Sequence, residues 1–380
     1  MGVVSFLNDM SSEMIIPLIP GYLLDVLKVK ELTGGIIVGL IESLSSILKV
    51  LFGYLSDRFN QRKIFVALGY AVSTVSKAFL GFSRNWLEFI LLRICDRIGK
   101  GIRTAPRDAL IAESVNSGTG EAFGFHRMLD TFGAVAGPII AVLLIILFGT
   151  FSLSDYKYLF LFSAIPGFLA VALVIMFVKE GRPKKLKKKI SFSLPKRKEI
   201  VFFLGVVAVG TLGRYSYAFT LWKLKSSGYL LIESLLFYSF FNLIYAVGSY
   251  PFGLLSDVFG KKRVFAGGYL LGGLASLLFI FAVNKYLFIF AFLLYGLYTA
   301  VMDTVPVSFM AEIAGNEKGT AIGIYHFVSG IFLFPASAIA GFLWQSYSIN
   351  AAFFLAAVFN IAAFSLLLSL VSDAKTISYS

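Results

Sequence analysis

The sequence predicts an all-α integral membrane protein with twelve transmembrane helices in two pseudo-symmetric six-helix bundles. Three observations predict this fold class: the composition, the length of the apolar segments and an internal repeat. Of the 380 residues, 58% are hydrophobic and only 14% are charged, whereas soluble domains contain about 25% charged residues. Apolar runs near 20 residues dominate over alternating ten-residue segments, and this pattern indicates helices rather than a β-barrel.

The apolar segments are each about 20 residues or slightly longer, which is the length that crosses a hydrocarbon core of about 30 Å. The predicted spans are 3–26, 34–56, 64–83, 86–108, 120–149, 157–179, 200–222, 234–256, 264–283, 286–309, 319–345 and 350–371. The long polar stretch from Lys179 to Lys198 contains ten Lys or Arg residues. It predicts a first bundle at 1–179, a basic loop at 180–198 and a second bundle at 199–380.

The distribution of basic residues predicts the orientation in the membrane. Lys and Arg concentrate after the second, sixth and eighth spans, so these loops are expected in the cytoplasm, with both termini on the same side. Met1 leads almost directly into the first apolar segment without a basic n-region, so no cleavable signal peptide is expected. We expect a multi-pass protein of the plasma (inner) membrane.

The net charge of +13 also bears on binding partners. Because the lysines lie beside apolar helices, they predict contact with anionic lipids rather than with nucleic acid. A single cysteine, Cys95, and two histidines, His126 and His326, argue against disulfides and metal sites. We expect no cofactor and a monomer.

The two halves of the sequence repeat each other. Residues 53–63 recur as residues 253–263, with Gly, Ser, Asp and a basic pair at matching positions 200 residues apart. Thr104-Ala-Pro106 recurs as Thr304-Val-Pro306 at the same offset, and a third match follows at an offset of 199. These matches predict duplicated six-helix units of parallel sense, an arrangement typical of transporters.

The fourth span carries a row of charges at helical spacing. The row comprises Arg93, Asp96, Arg97, Lys100, Arg103, Arg107 and Asp108. Against lipid such charges would cost several kcal/mol each by most estimates, so the row is expected to face protein or water and to be functional. Alternatively, the helix leaves the membrane near Lys100 and the later charges form its solvated end.

Several charges are predicted to meet near the membrane midplane. The helical rise places Arg97 about 16 Å from the outer end of its span and Glu13 about 15 Å from the inner end. Asp9 lies one turn before Glu13, and the fifth span adds Arg127 and Asp130. A carboxylate that changes partners between two states also changes its proton affinity. The candidate proton carriers are therefore Asp9, Glu13, Asp96 and Asp130, with Arg97 and Arg127 as switching cations; the alternative is a static network that fixes helix register.

The second half has fewer charges within its spans and many more aromatic residues. Its main charges within the spans are Arg214 and Asp303. Most membrane aromatics face lipid or pack in the core, but some could line an amphipathic solute site. The candidate substrate-binding residues are Arg93, Lys100, Arg103, Arg107, Tyr215, Asn242, Asp303 and His326. We interpret the first half as the coupling half and the second as the half that recognises solute.

The turn between spans 2 and 3 resembles the signature loop G-x-L-x-D-R-x-G-R-R/K of the major facilitator superfamily, and the chain is similar to this family over its whole length. The matching residues are Gly53, Asp57, Arg58, Arg62 and Lys63, with Gly253, Asp257 and Gly260 in the second copy. Asn60 replaces a glycine and Val258 replaces the arginine. The resemblance implies a cytoplasmic gate latch with Asp57 as its central acid; without it, the turn would indicate orientation only.

Two further motifs resemble the proton-coupled antiporter branch of this family. Arg97 to Gly101 is similar to R-x-x-Q-G, whose arginine is linked to proton coupling, with Lys100 in place of glutamine. The antiporter motif G-x8-G-x3-G-P-x2-G is matched, except for Ala141 at its final glycine, by Gly124, Gly133, Gly137 and Pro138. Small residues at this spacing also allow ordinary close helix packing, and proline kinks a helix.

The expected function is secondary active transport by alternating access, with the proton gradient driving antiport and efflux of a small organic or amphipathic solute. One alternative is a symporter or exchanger for an anionic or phosphate-bearing solute held by the arginines of the fourth span. An alternative of another class is a non-transporting lipid scramblase or sensor. An enzyme is not expected, since the sequence lacks a nucleotide loop, a metal cluster and a nucleophile triad.

Overall fold

The computed structural model describes residues 1–19, 22–23, 28–59, 61–114, 119–148, 155–180, 198–313 and 318–376. Within this described part, every regular element is a helix. The first six spans contain α1 (Gly2–Glu13), a 3-10 turn (Ile16–Leu18), α2 (Glu31–Phe59), α3 (Lys63–Leu80), α4 (Trp86–Ser114), α5 (Thr119–Phe148) and α6 (Asp155–Phe177). The last six contain α7 (Lys198–Leu212), α8 (Tyr217–Ser226), α9 (Leu231–Phe259), α10 (Lys261–Phe281), α11 (Lys285–Ile313), α12 (Lys318–Ser346) and α13 (Ile349–Thr376).

The helices have the length and apolar character of membrane spans. In the described part, nine segments qualify by length and composition alone, and α7 and α8 together form one of them, Ile200–Ser226. Helices α1, α2 and α4 fall outside this set, and α4 contains the row of charges seen in the sequence. The predicted class, an all-α membrane protein, is confirmed.

Two spans that were predicted as continuous helices are interrupted. In the first span α1 ends at Glu13, and a turn at Met14 and Ile15 leads into the 3-10 segment. Pro17 has no N–H, so the carbonyl of Glu13 loses its usual helical partner there. In the seventh span α7 ends at Leu212, and residues 213–216 are not helical before α8 begins. The prediction of unbroken helices over 3–26 and 200–222 is therefore wrong at these points.

The break in the seventh span has replacement hydrogen bonds inside the protein. Asn360 Nδ2 donates to the Gly213 carbonyl at 2.9 Å, and the Tyr295 hydroxyl donates to the Tyr215 carbonyl at 3.5 Å. Ser216 caps α8, since its Oγ accepts the Ala218 N–H at 3.3 Å. Non-helical backbone is tolerated at membrane depth only where such partners or water are present.

The backbone forms two compact units. Unit 1 comprises Met1–Lys30, Leu40–Ile190 and Leu224–Asn242; unit 2 comprises Glu31–Gly39, Ser191–Lys223 and Leu243–Ser380. The start of α2 therefore belongs to unit 2, and the start of α9 belongs to unit 1. The boundaries predicted from the repeat, 1–179 and 199–380, describe the duplication in the sequence and stay a prediction.

In unit 1, the small residues of α5 allow α1 to lie against its backbone. A Cβ added to Gly137 would be 2.8 Å from the Met10 carbonyl oxygen, and one added to Gly133 would overlap the Phe6 carbonyl. Pro138 follows inside the same helix. The glycines therefore set how closely α1, with its two carboxylates, approaches α5.

Candidate functional site

Three consecutive charges of the α4 row are buried inside unit 1. Asp96 is bound by Arg93 Nη1 at 2.8 Å, by Arg97 Nη2 at 3.0 Å and by the Ser73 hydroxyl. The three charged residues are buried, and the Asp96 side chain is only 3% exposed. Each oxygen of this carboxylate thus has a described donor, and we call this group the Asp96 clamp. It joins α3 to α4.

Arg103 continues the row in an apolar setting. It is 4% exposed, and its guanidinium carbon lies 4.7 Å from the centre of the Tyr70 ring. Its Nη1 has no hydrogen-bond partner in the described part of the chain. The alternative prediction that charges beyond Lys100 form a solvated helix end is therefore wrong for Arg103, because protein covers it.

The next turn of α4 joins the row to α5. Arg107 pairs with Asp108 at 3.0 Å and approaches Asp130 at 3.8 Å, and Arg127 lies 3.7 Å from the other oxygen of Asp130. Ser5 of α1 bonds His126 at 2.8 Å. This group brings together α1, α4 and α5, with Asp130 between two arginines.

The two carboxylates of α1 have different surroundings. Asp9 has one described hydrogen bond, from Asn8 Nδ2 at 3.5 Å, and Glu13 accepts one from the Tyr238 hydroxyl at 2.8 Å. Neither carboxylate has a described ion pair within 4.0 Å. Lys100 is near enough to interact electrostatically with both. The structure therefore separates the four predicted proton carriers into two acids paired with arginines, Asp96 and Asp130, and two acids without an ion pair in the described part.

Lys77 was missed by the sequence reasoning. It is fully buried on α3, and its Nζ donates to Ser11 Oγ at 2.7 Å and to Ser12 Oγ at 3.1 Å on α1. The available signal was a lone lysine inside an apolar segment. Its hydroxyl partners could not be identified from sequence because they are more than 60 residues away.

Unit 2 contains a smaller charged group next to the break in the seventh span. Arg214 Nη2 lies 2.9 Å from Asp303 Oδ1, and the Tyr245 hydroxyl donates to Asp303 Oδ2 at 2.9 Å. The side chains of Arg214 and Asp303 are 31% and 26% exposed. Sequence reasoning named both residues but did not predict that they pair.

The other substrate-binding candidates are spread over the chain. Tyr215 stacks on Tyr295 in the core of unit 2, with ring centres 5.6 Å apart. The ring of His326 lies 5.2 Å from that of Tyr325 in the same unit. Asn242 instead belongs to unit 1, where its Nδ2 donates to the Ala134 carbonyl at 3.3 Å. The structure brings Asp303 to Arg214.

The last two residues of the predicted gate motif, Arg62 and Lys63, lie at the start of α3, where their backbone N–H groups bond an acid. Glu180 accepts the backbone N–H of Arg62 at 2.8 Å and that of Lys63 at 3.0 Å, so a carboxylate sits at the helix N-terminus. Sequence reasoning did not single out Glu180. In the second copy, Gly260 has a φ of 90° before α10, and a Cβ on Gly253 would meet nothing within 4 Å. The surroundings of the remaining motif residues lie outside the described part: Gly53, Asp57, Arg58, Gly124 and Asp257.

The comparisons with known proteins identify the family. The family model of the Major Facilitator Superfamily matches residues 1–244 and 203–378. The chain belongs to the major facilitator superfamily. An uncharacterized MFS-type transporter of Methanocaldococcus jannaschii is 39% identical over 91% of this chain and 87% of its own length. The recognition made from the motifs of the first half is therefore confirmed at the level of the superfamily.

Two further comparisons extend this result. A multi-drug resistance efflux pump of Streptococcus pneumoniae is 28% identical over 49% of this chain and 45% of its own length. The crystal structure of the nucleoside transporter NupG has a TM-score of 0.80 at 13% identity and covers 97% of this chain and 98% of its own. This structural likeness shows the fold. Family and fold together make the chain a multi-pass membrane transporter and not an enzyme.

Proposed function

We propose that this transporter couples solute movement to protons by antiport and exports a small organic solute by alternating access. The observation that supports the proposal is the difference between the acids of unit 1. Asp96 and Asp130 are held by arginines, whereas Asp9 and Glu13 have no described ion pair. An ionised carboxylate within a membrane requires a cation, so acids without one are the natural carriers of a proton.

The chemistry of coupling follows from the cations nearby. Lys100 and Arg97 interact electrostatically with Glu13 without bonding it. When Glu13 loses its proton, its charge draws one of these cations towards α1; when it regains the proton, the attraction ends. Each proton transfer thus changes how strongly α1 is held to α4, and it provides the force that biases one conformation over the other.

The direction of transport rests on resemblance and packing. The α5 glycines and Pro138 match most of the antiporter motif and hold α1 against α5. The pneumococcal relative that matches half of the chain is an efflux pump. We therefore propose efflux across the inner membrane, with both termini in the cytoplasm, the basic loops on anionic lipid, and a monomer as the working form.

Proton coupling is tested in proteoliposomes with a pH-sensitive dye inside. We first screen phenylalanine, phenethylamine, 3-phenylpropanoate and ethidium for solute-driven proton movement, and then compare Glu13→Gln and Asp9→Asn with wild type. We expect proton movement to fall at least about tenfold, the change that a barrier increase near 1.4 kcal/mol produces, while solute exchange without a pH gradient persists. Glu88→Gln, at an exposed carboxylate near the start of α4, is the matched control. Undiminished proton movement in both α1 variants would contradict the proposal.

A second function is favoured by one specific observation. Arg103 and Lys77 are buried cations of unit 1 with no described ion pair within 4.0 Å. Such cations would suit an anionic or phosphate-bearing solute, which would then move by symport or exchange. Phenyl phosphate and phenol differ only by the phosphate group and provide the test. Thermal stabilisation by phenyl phosphate alone, lost in Arg103→Gln, would favour this second function over the first.

A further inference from the structure

The break in the seventh span lies beside an arginine near the midpoint of that span. Arg214 lies 14 residues after Ile200 and 12 residues before Ser226, the ends of this span. The freed Gly213 carbonyl is bonded by Asn360, and a Cβ on Gly213 would be 2.8 Å from the same amide nitrogen. The break is therefore a packed feature of the fold. Interrupted helices of this kind are the strongest pointers to solute sites in transporters.

The Arg214–Asp303 pair differs from the Asp96 clamp in its access to solvent. The side chains of the clamp are between 3% and 8% exposed, whereas those of Arg214 and Asp303 are 31% and 26% exposed. A charged pair within membrane spans is not expected to face lipid, because the cost would be several kcal/mol. This cost predicts that its exposed side faces water. The described hydrogen bond of Arg214 uses one of its five donors.

Buried polar atoms near the pair have no partner in the described part of the chain. Tyr298, which is 3% exposed, interacts electrostatically with Arg214, and its hydroxyl has no hydrogen bond there. The Asn360 Oδ1 atom is likewise without a described partner. Gly272 is close to both side chains, since a Cβ added there would be 2.7 Å from the Tyr298 ring and 2.8 Å from Asn360 Oδ1. An unmatched donor and an unmatched acceptor thus lie close together beside the break.

We propose that the Arg214–Asp303 pair is a solute site for an amphipathic zwitterion, such as an aromatic α-amino acid. This inference rests on the proposed transport function and names its substrate class. The pair presents one positive and one negative group 2.9 Å apart. A simple anion would gain from Arg214 but be repelled by Asp303, and a simple cation would meet the reverse. A solute with both charges satisfies both groups, and the ring of Tyr245, whose hydroxyl donates to Asp303, lies beside them for its apolar part.

Three probes with one skeleton test the charge requirement. L-Phenylalanine carries an ammonium and a carboxylate, 3-phenylpropanoate has only the carboxylate, and 2-phenylethylamine has only the ammonium. We expect phenylalanine to bind the purified transporter at least about tenfold more tightly than either analogue, measured by titration calorimetry and by thermal stabilisation. Equal binding of the three probes, or no binding of phenylalanine, would overturn the proposal.

Substitution of either charge is expected to change selectivity in a defined direction. Asp303→Asn should weaken the binding of phenylalanine and strengthen that of 3-phenylpropanoate. Arg214→Gln should weaken the binding of phenylalanine and strengthen that of 2-phenylethylamine. A purely structural pair would lose stability without reversing the order of the probes. The exchange variant Arg214→Asp/Asp303→Arg keeps both charges, and Glu233→Gln is a control at an exposed helix start. If both single variants keep their fold but lose the binding of all three probes equally, the proposed zwitterion site is wrong.

The experiments can refute the proposed solute site and the proposed proton coupling independently. Glu13→Gln removes the proposed proton carrier in unit 1 and leaves the Arg214–Asp303 pair unchanged. We expect this variant to keep the binding preference for phenylalanine while losing proton movement. If wild type moves protons with ethidium but does not bind phenylalanine, the zwitterion site is wrong and the proposed function stands. If phenylalanine binds and exchanges without proton movement, the site stands and the antiport proposal is wrong.

Discussion

The two units use buried charge in different ways. In unit 1 the Asp96 clamp is closed, and two acids on α1 remain without a described ion pair. In the described part of unit 2 one ion pair, Arg214 and Asp303, is partly exposed. Both first helices of the repeat are interrupted at matching points, near Met14 and Arg214, which are 200 residues apart. The duplication thus preserved an irregular backbone in both copies, while the side chains beside it took on separate chemistry.

The largest expected effect tests whether the Asp96 clamp is structural. Asp96→Ala leaves Arg93 and Arg97 buried without their shared carboxylate, so we expect the free energy of unfolding to fall by about 3–5 kcal/mol. The measurement is thermal unfolding in nanodiscs. Asp303→Asn, at the partly exposed pair, should cost less than half as much. Equal losses in the two variants would remove the contrast between a closed and an open charge group.

Packing of α1 against α5 should matter nearly as much. Gly137→Ala places a methyl group 2.8 Å from the Met10 carbonyl and forces the helices apart. We expect a loss of about 1–3 kcal/mol, the range for overpacking a tight contact, together with slower proton movement. Gly205→Ala, in α7, is the matched control, because a Cβ there meets nothing within 4 Å. Equal loss of stability in the control and in Gly137→Ala would show that steric overlap with α1 does not cause the effect.

An effect of similar size is expected when the break in the seventh span loses its hydrogen bond. Asn360→Leu leaves the Gly213 carbonyl without its described donor, which should cost about 1–3 kcal/mol. Phenylalanine binding should weaken in parallel, since the position of Arg214 depends on this turn. Proton movement driven by another solute should be retained. Normal phenylalanine binding in a destabilised Asn360→Leu protein would separate the break from the solute site.

The smallest effect concerns the start of α3. Glu180→Gln removes the negative charge that accepts the N–H groups of Arg62 and Lys63. A carboxylate at a helix N-terminus contributes about 0.3–1 kcal/mol, so we expect a correspondingly small loss of thermal stability that shrinks in high salt. Glu88→Gln is the comparison at another exposed position. A larger loss that salt does not reduce would indicate a role beyond local electrostatics.

The sequence predicted the fold class because membrane insertion depends on local properties. The length of each apolar segment and the free energy of placing charges in lipid are properties of about 20 consecutive residues. The duplication at an offset of 200 is likewise visible in one dimension. The prediction that Arg103 faces protein followed from the free-energy cost of a charge in lipid, and its contact with the Tyr70 ring agrees with that argument. The break in the first span was not predicted, because Pro17 lies within a segment that is otherwise continuously apolar.

The sequence by itself determined that this chain is a helical, duplicated membrane protein with charges concentrated in its first half. Only the tertiary structure decided which charges meet. Asp96 and Asp9 are both acids near other charges in the sequence, yet one has two arginines and the other has none within ion-pair distance in the described part. Lys77 reaches Ser11 across 66 residues, and Arg214 reaches Asp303 across 89. Such pairings depend on helix rotation and approach, and the packing of side chains from distant segments fixes both.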